Sequence, residues 1–406
     1  MSIANEDQRT ASRVAEVTAL VAQTRDFVRE VVLPIEDRYD GDVALAGGDA
    51  VRRELQAAAR ERGLLAPHAP TEYGGRALSM SERARVFEGA GYGLFGALAI
   101  NAAAPDEGNM HLLDHVATAE QRDQYLAPLA RAEVRSAFAM TEPAPGAGSD
   151  PSALQTRATR MAGGWRIDGH KLFITGADGA DFFIIMARTS GEPGERGGGT
   201  MFLAPGSTAG LRVARHLPTM DRSMVGGHCE VYFDSLEVPD SAVLGEVDEG
   251  FRYVQVRLGP ARMTHVMRWL GAAVRAHETA LDYATSRQAF GSALSDQGLA
   301  QHLIAENEID LAATRALLDV ACAALDAGSS AAQETSIAKT FGAEAIGRVA
   351  DRAMQLCGGA GMSADLPVAR IAREVRPFRV YDGPSEVHRF AIAKRAARAA
   401  RERAGR

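Results

Sequence analysis

Gln355-Leu-Cys-Gly-Gly-Ala-Gly-Met362 is the most informative stretch of this chain. It follows a helical apolar period that runs from Ala331 to Cys357, and it sets Gly358, Gly359 and Gly361 within four residues. A helix C-terminus needs one left-handed glycine. Three go beyond a cap and let a ligand approach the bare backbone. No strand precedes the stretch and the G-x-G-x-x-G spacing is absent, so it is not a dinucleotide fingerprint.

Helical period extends on both sides. Ala261–Arg287, Gly298–Ala327, Ala331–Cys357 and Pro384–Ala400 read as four long helices with short links, which predicts an antiparallel bundle over residues 244–406. The Arg- and Ala-rich tail after Lys394 reads as a solvated helix end. Between the last two helices lies Arg379-Val-Tyr-Asp-Gly-Pro-Ser-Glu-Val-His388. Asp382 there stands at a Gly-Pro turn. It reads either as an anion at a helix N-terminus, worth about 0.3–1 kcal/mol, or as a general base at the rim of a pocket. His265, His302 and His388 read as packed or surface histidines.

Upstream the period changes. Residues 135–243 read as a small β-domain, a sandwich or barrel. Trp165-Arg-Ile167 and Leu172–Ile174 read as strands around a turn at Asp168-Gly169, followed by Phe182–Ala187, Thr200–Ala204 and Cys229–Phe233. Taken alone, Phe173 reads as a core residue of an ordinary strand. Phe138-Ala-Met-Thr-Glu-Pro143, leading into Gly146–Asp150, reads equally as a connector or as a loop whose N–H groups and hydroxyls bind ligand oxygens. Residues 1–134 read as helical. Val14, Val17, Leu20, Val21, Phe27, Val28 and Val31 share one face, and Pro34 is expected to stop that helix. The small residues of Gly89–Ala104 read as close helix packing; Gly93–Ala99 could instead leave a roomy cavity for a long or branched ligand.

Composition bounds the rest. Apolar residues make up 46% and charged residues 24%, as in ordinary globular proteins with ample core material. The net charge of −7 argues against a nucleic-acid or anionic-membrane surface. Met1–Thr10 is polar and shows no signal-peptide pattern, and no apolar run is long enough to cross a membrane. Cys229, Cys322 and Cys357 are odd in number and far apart, which fits reduced thiols in the cytoplasm and no metal site.

Together these segments resemble the acyl-CoA dehydrogenase family over nearly the whole chain. Gln355, Gly358, Gly359, Gly361, Met362, Asp365, Arg370 and Glu374 match its later signature. Thr141-Glu-Pro143 with Gly148-Ser-Asp150 matches the earlier one, with two residues more than usual between Pro143 and Ser149. Ala104–Met110, Leu258–Arg262 and Asp382–His388 are similar to one branch, which includes the dehydrogenase portion of eukaryotic proteins fused to a phosphotransferase-like domain.

The resemblance implies an N-terminal helical domain, a middle β-domain and a C-terminal four-helix bundle, assembled as a homodimer or homotetramer. It implies FAD as cofactor, an acyl-CoA as substrate and an electron-transfer flavoprotein as electron acceptor, in a β-oxidation-type step of fatty-acid metabolism. Met140 and Thr141 would meet the flavin, Phe173 and Thr175 would flank its ring, and Ser385 and Glu386 would face it. Arg287, Phe290, Gln355, Gly358 and Gly359 would reach the cofactor of a neighbouring subunit. Ser149 and Gly383 would contact substrate, and Arg262 would anchor the catalytic loop or the thioester end.

Asp382 stands where most members carry Glu, and the alternative base position of the family falls on Ala261, which accepts no proton. Asp382 would therefore take the substrate α-proton while the β-hydride leaves to the flavin, giving the trans-2-enoyl-CoA. A free Asp titrates near 3.9, and dehydration on substrate binding would raise it. Two other readings share the fold: a nitroalkane-oxidase-like flavin oxidase, which also uses Asp, and a non-catalytic subunit of a heteromeric dehydrogenase.

Overall fold

The apolar face that begins at Val14 builds the first helix, α1 (Ile3–Phe27), in a computed structural model that describes residues 3–405. Met1 and Ser2, from the polar N-terminal segment, lie outside the described residues. Pro34 does not stop the helical path. A π-turn at Val28–Val32 passes it into α2 (Leu33–Arg38), and Pro34 falls in the first turn of that segment, where a missing N–H is tolerated. The remaining helices of this part are α3 (Asp49–Glu61), α4 (Met80–Gly91), α5 (Gly96–Ala99), α6 (Asp106–Val116), α7 (Ala119–Gln121) and α8 (Ala127–Ala130).

The middle of the chain forms β1 (Ser136–Ala139), β2 (Arg157–Met161), β3 (Gly164–Thr175), β4 (Phe182–Arg188), β5 (Gly199–Pro205), β6 (Leu211–His216), β7 (His228–Pro239) and β8 (Val243–Leu244). They pair in the order β6-β7-β3-β2-β4-β5-β8, with β1 parallel to β4. Trp165 on β3 packs edge-on against Phe202 on β5 at 5.6 Å, although these strands are not neighbours, so the sheet curls around its own core.

The turn expected at Asp168-Gly169 is absent: β3 continues through it, with a first slip in its pairing with β7 between Ile167 and Gly169. Gly169 serves close approach instead, because a Cβ there would stand 2.4 Å from Thr156 Oγ1, and Asp168 accepts the Ser235 N–H at 2.8 Å. The pairing of β3 with β7 slips between Lys171 and Ile174. That bulge turns Phe173 into the left-handed region (φ 58°) and leaves it 54% exposed. Phe173 is thus not a core residue.

The last part holds α9 (Gly250–Ser286), a hairpin of β9 (Gln288–Ala289) and β10 (Ser292–Ala293), then α10 (Gly298–Asp326), α11 (Ala332–Cys357), α12 (Val368–Val375) and α13 (Ser385–Ala404). α9 starts well before the expected Ala261 and carries Pro260 inside it. From Lys394 onward the described residues of α13 are largely exposed. The order helical, β, helical is as expected, but the two helical parts are not separate cores. Phe27, Phe87 and Phe95 share one cluster with Met267, Leu318 and Phe378.

The glycines of the N-terminal part mediate that union. A Cβ on Gly91 would stand 2.0 Å from Arg268 O, and one on Gly271 2.1 Å from Glu88 O, so α4 and α9 cross backbone to backbone. Gly93 would meet Val28, Val32 and Glu36, and Gly96 the carbonyl of Ala90. Gly93 and Gly96 thus serve close packing, the first of the two readings of this segment. Cys229, Cys322 and Cys357 are buried free thiols. No described helix is long and apolar enough to cross a membrane.

Candidate active site

Asp382 and Gly383 form a turn with both residues left-handed (φ 53° and 93°) between Tyr381 and α13. Asp tolerates this region better than most side chains because its short polar group can bond locally. Three side chains clamp the turn by its carbonyls. Arg262 Nε donates to Asp382 O at 3.0 Å, His388 Nε2 lies 3.2 Å from the same oxygen, and Lys339 Nζ donates to Gly383 O at 2.7 Å. A Cβ on Gly383 would stand 2.8 Å from His388 Nε2, so that position accepts only glycine. Arg262 thus holds the turn by its backbone, and Ala261 beside it is buried and offers no acceptor.

The Asp382 carboxylate leans back onto α9. His265 Nε2 lies 3.2 Å from Oδ2, and the side chain keeps 20% of its surface open. Burial alone would push this carboxyl up. The hydrogen bond from His265 and the charges of Arg257 and Arg262 outweigh burial and hold it well below the usual carboxylate range. The substrate-free direction is therefore down, and a rise on dehydration has to overcome these groups. Burial and the neighbouring Arg268 push His265 down, so it is neutral near pH 7.

Arg257 is buried over the Phe138 ring, with its carbon 4.2 Å from the centroid, and donates to Asn109 Oδ1 at 2.8 Å. It ties α9 to β1 and α6. Sequence reasoning passed over Arg257, Arg268 and Lys339, and read His265 as a packed or surface histidine. The signal was present: Arg257, His265 and Arg268 recur at helical spacing, a polar stripe among the buried apolar residues of α9.

The earlier loop is organised by Glu142. Its buried carboxylate accepts the N–H of Ala147 (3.0 Å), Gln155 (2.7 Å) and Thr156 (2.9 Å), and Lys171 Nζ at 2.9 Å. Burial opposes the charge, yet Lys171 and these donors bring Glu142 down to about 2. Burial brings Lys171 itself down to about 8. The asymmetry follows from the partners: four donors serve the carboxylate, whereas among the described residues the ammonium has Glu142 and Met140 O (3.1 Å). The extra residues after Pro143 fold into a turn, Gly146 N to Pro143 O at 2.8 Å, that lies against Glu142. Leu172 N donates to Thr141 O at 2.9 Å, so Met140 and Thr141 run beside the strand that carries Phe173 and Thr175. Ser149 is exposed on the same loop.

Thr175 is held by a relay that the sequence did not reveal. Asp221 lies 2.8 Å from His228 Nε2, and His228 Nδ1 lies 2.9 Å from Thr175 Oγ1. With Nε2 donating to the carboxylate, the Thr175 hydroxyl donates to Nδ1 and keeps its lone pairs. Segment 222–223 is pinned to the bundle by Glu374, which accepts Arg222 N at 2.7 Å and Ser223 Oγ at 2.7 Å. Glu374 therefore ties the β-domain to the bundle next to Asp221, the far end of the relay that holds Thr175.

The other expected residues divide. Gln355, Gly358 and Gly359 are exposed at the end of α11, with nothing within 4 Å of a Cβ on either glycine. Arg287 is exposed, and Phe290 is 98% exposed at the left-handed tip of the β9–β10 hairpin. None of these five joins the Asp382 turn within the chain. Glu386 is exposed, but Ser385 is buried, and its Oγ has no hydrogen-bond partner among the described residues. Among the described residues no His, Cys, Asp and Glu cluster could hold a metal.

Comparison with known proteins gives three family matches: acyl-CoA dehydrogenase N-terminal domain over residues 15–133, middle domain over 137–236 and C-terminal domain over 248–397. The chain is 36% identical over 382 residues to the probable acyl-CoA dehydrogenase FadE2 of Mycobacterium tuberculosis, covering 91% of this chain and 92% of that one. It is 34% identical over 391 residues to acyl-CoA dehydrogenase family member 11 of Mus musculus, covering 92% of this chain and 49% of the longer relative. Butyryl-CoA dehydrogenase from Megasphaera elsdenii has a solved structure that superposes with a TM-score of 0.82 at 25% identity, over 94% of this chain and 98% of that one.

Proposed function

The chain belongs to the acyl-CoA dehydrogenase family, and from that premise we propose that it is an FAD-dependent enzyme that converts an acyl-CoA thioester to the trans-2-enoyl-CoA, with Asp382 as base. The observation that carries this reading is the clamped turn. An ionised carboxylate, partly open, is fixed by its backbone and supported by His265.

The residues present fit FAD. Phe173 offers an exposed aromatic face, Thr175 a hydroxyl with free lone pairs, and Gly358 and Gly359 an open backbone with no side chain in the way. Met140, Thr141 and Glu386 would complete the flavin site of this chain, and Arg287, Phe290 and Gln355 would serve that of a second copy. Bound there, FAD supplies the two-electron oxidant for the β-carbon.

The chain does the rest. Asp382 removes the α-proton, because at neutral pH it is already ionised. Backbone groups of the 382–383 turn orient the thioester. Ser149, exposed on the Glu142-anchored loop, meets the CoA portion. An electron-transfer flavoprotein reoxidises the enzyme, the oligomer is a dimer or tetramer, and the three reduced, buried thiols fit a cytoplasmic protein.

Asp382→Asn keeps the size of the side chain and removes its basicity. The variant is expected to bind FAD and acyl-CoA but to lose about 100- to 10,000-fold in anaerobic flavin bleaching. Bleaching at the normal rate would overturn the base assignment. Oxygen uptake with nitroethane, in place of bleaching by acyl-CoA, would move the function to a nitroalkane oxidase. A preparation that stays colourless with added FAD would mark a non-catalytic subunit.

A further inference from the structure

We propose that His265 is the positioning residue of this site: it holds one oxygen of the Asp382 carboxylate in a fixed direction, and Arg268 sets the tautomer that lets it do so. This rests on Asp382 being the base. His265 is buried on α9. Arg268 Nη2 lies 2.8 Å from its Nδ1. A guanidinium can only donate, so Nδ1 accepts and the ring proton resides on Nε2. That Nε2–H faces Asp382 Oδ2 at 3.2 Å. Oδ2 is thereby engaged, and among the described residues no donor meets Oδ1, which is left to receive the substrate proton.

Arg268 is itself fixed at both ends. Its Nη1 donates to Ala102 O at 2.7 Å, and its carbonyl lies at the close α4–α9 crossing beside Gly91. The aim of the carboxylate is thus referred back to the N-terminal helices through two side chains. A histidine is suited to this because it is neutral here. It restrains the carboxylate by one hydrogen bond without the full charge of a lysine or arginine.

The groups facing this pair are known. Arg257, Arg262 and Arg268 come from α9 itself, Glu107 from α6, and Tyr381 from the segment before the turn. Lys339 from α11 and His388 from α13 face the carboxylate.

The test uses the FAD-loaded enzyme and the fastest of butyryl-, octanoyl- and palmitoyl-CoA in single-turnover flavin bleaching. His265→Phe is expected to slow bleaching by about a hundredfold, the scale of a misplaced catalytic group. Acyl-CoA affinity should stay within about threefold, since no ground-state contact is lost. Without its donor the carboxylate titrates higher, so the acid limb of the bleaching rate moves to higher pH. His265→Gln restores an N–H at similar reach and should recover most of the rate and the original limb.

A second measurement does not depend on turnover. In 15N-histidine spectra, His265 should report the Nε2–H tautomer with or without FAD, and Arg268→Met should admit the Nδ1–H form. The proposal fails if His265→Phe keeps the normal rate and pH profile. It fails if Gln and Phe are equally slow with an unmoved acid limb, or if the native ring carries its proton on Nδ1. A silent Asp382→Asn beside a fully active His265→Phe sinks this proposal alone; a fully active Asp382→Asn sinks the base and His265 with it.

Discussion

Glu142 shows how much one side chain can organise. Its carboxylate gathers three backbone N–H groups and Lys171 from both sides of a loop of 15 residues. Removing one member of such a buried pair leaves an uncompensated charge, at about 3–5 kcal/mol. Lys171→Met should therefore lower urea stability by about that amount and loosen the loop that carries Thr141 and Ser149. The pH dependence has a definite sign. The folded carboxyl titrates at about 2, below its ordinary 4.5, so its stabilisation is complete above pH 4.5 and drains away as pH falls towards 2. Glu142→Gln should flatten urea stability over that interval, removing a fall of about 3 kcal/mol. Asp382 was singled out by its Gly-Pro turn, a local pattern that left its role open, and the family resemblance made it the expected base. Its partners were not, because nothing local says that the stripe of Arg257, His265 and Arg268 on α9 faces residue 382.

At the level of elements, the crossing of α4 and α9 allows a paired comparison. Gly271→Ala puts a methyl against the Glu88 carbonyl, where backbone rather than a flexible side chain must yield. A loss of about 3 kcal/mol is expected in thermal or urea unfolding. The same substitution at Gly347, inside α11 with only Arg379 Cδ at 4.0 Å, should gain about 0.5–1 kcal/mol from helix propensity. Helices with an unbroken period were read almost to the residue: α10 and α11 differ from expectation by one position at one end. Misreadings came where a local breaker is overruled by packing. Pro34 is carried by a π-turn, Gly259-Pro260 lies within α9, and Asp168-Gly169 lies within β3. In each case the residue is a turn signal alone, and tertiary contacts give it another use.

Across the whole molecule, the change of period along the chain revealed three regions but not that the first and third share a core. That union is long-range and leaves no local trace. The β9–β10 hairpin raises a further issue of scale. Phe290 sits left-handed and 98% exposed at its tip, a conformation and a location that a bulky apolar residue adopts at a cost. Burying such a side chain is worth about 1.5–3 kcal/mol per copy, which favours contact with a second subunit. Phe290→Asp should shift sedimentation towards the monomer and weaken FAD retention, with the far-ultraviolet circular dichroism unchanged. The mount of Asp382 has a consequence at this same scale. Arg262, Lys339 and His388 reach its two carbonyls from α9, α11 and α13, so the acid rides on the bundle like the needle of a gauge. Any small slide among those three helices is transmitted directly to the acid and, with Asp382 as the proposed base, to its gap from the substrate α-carbon.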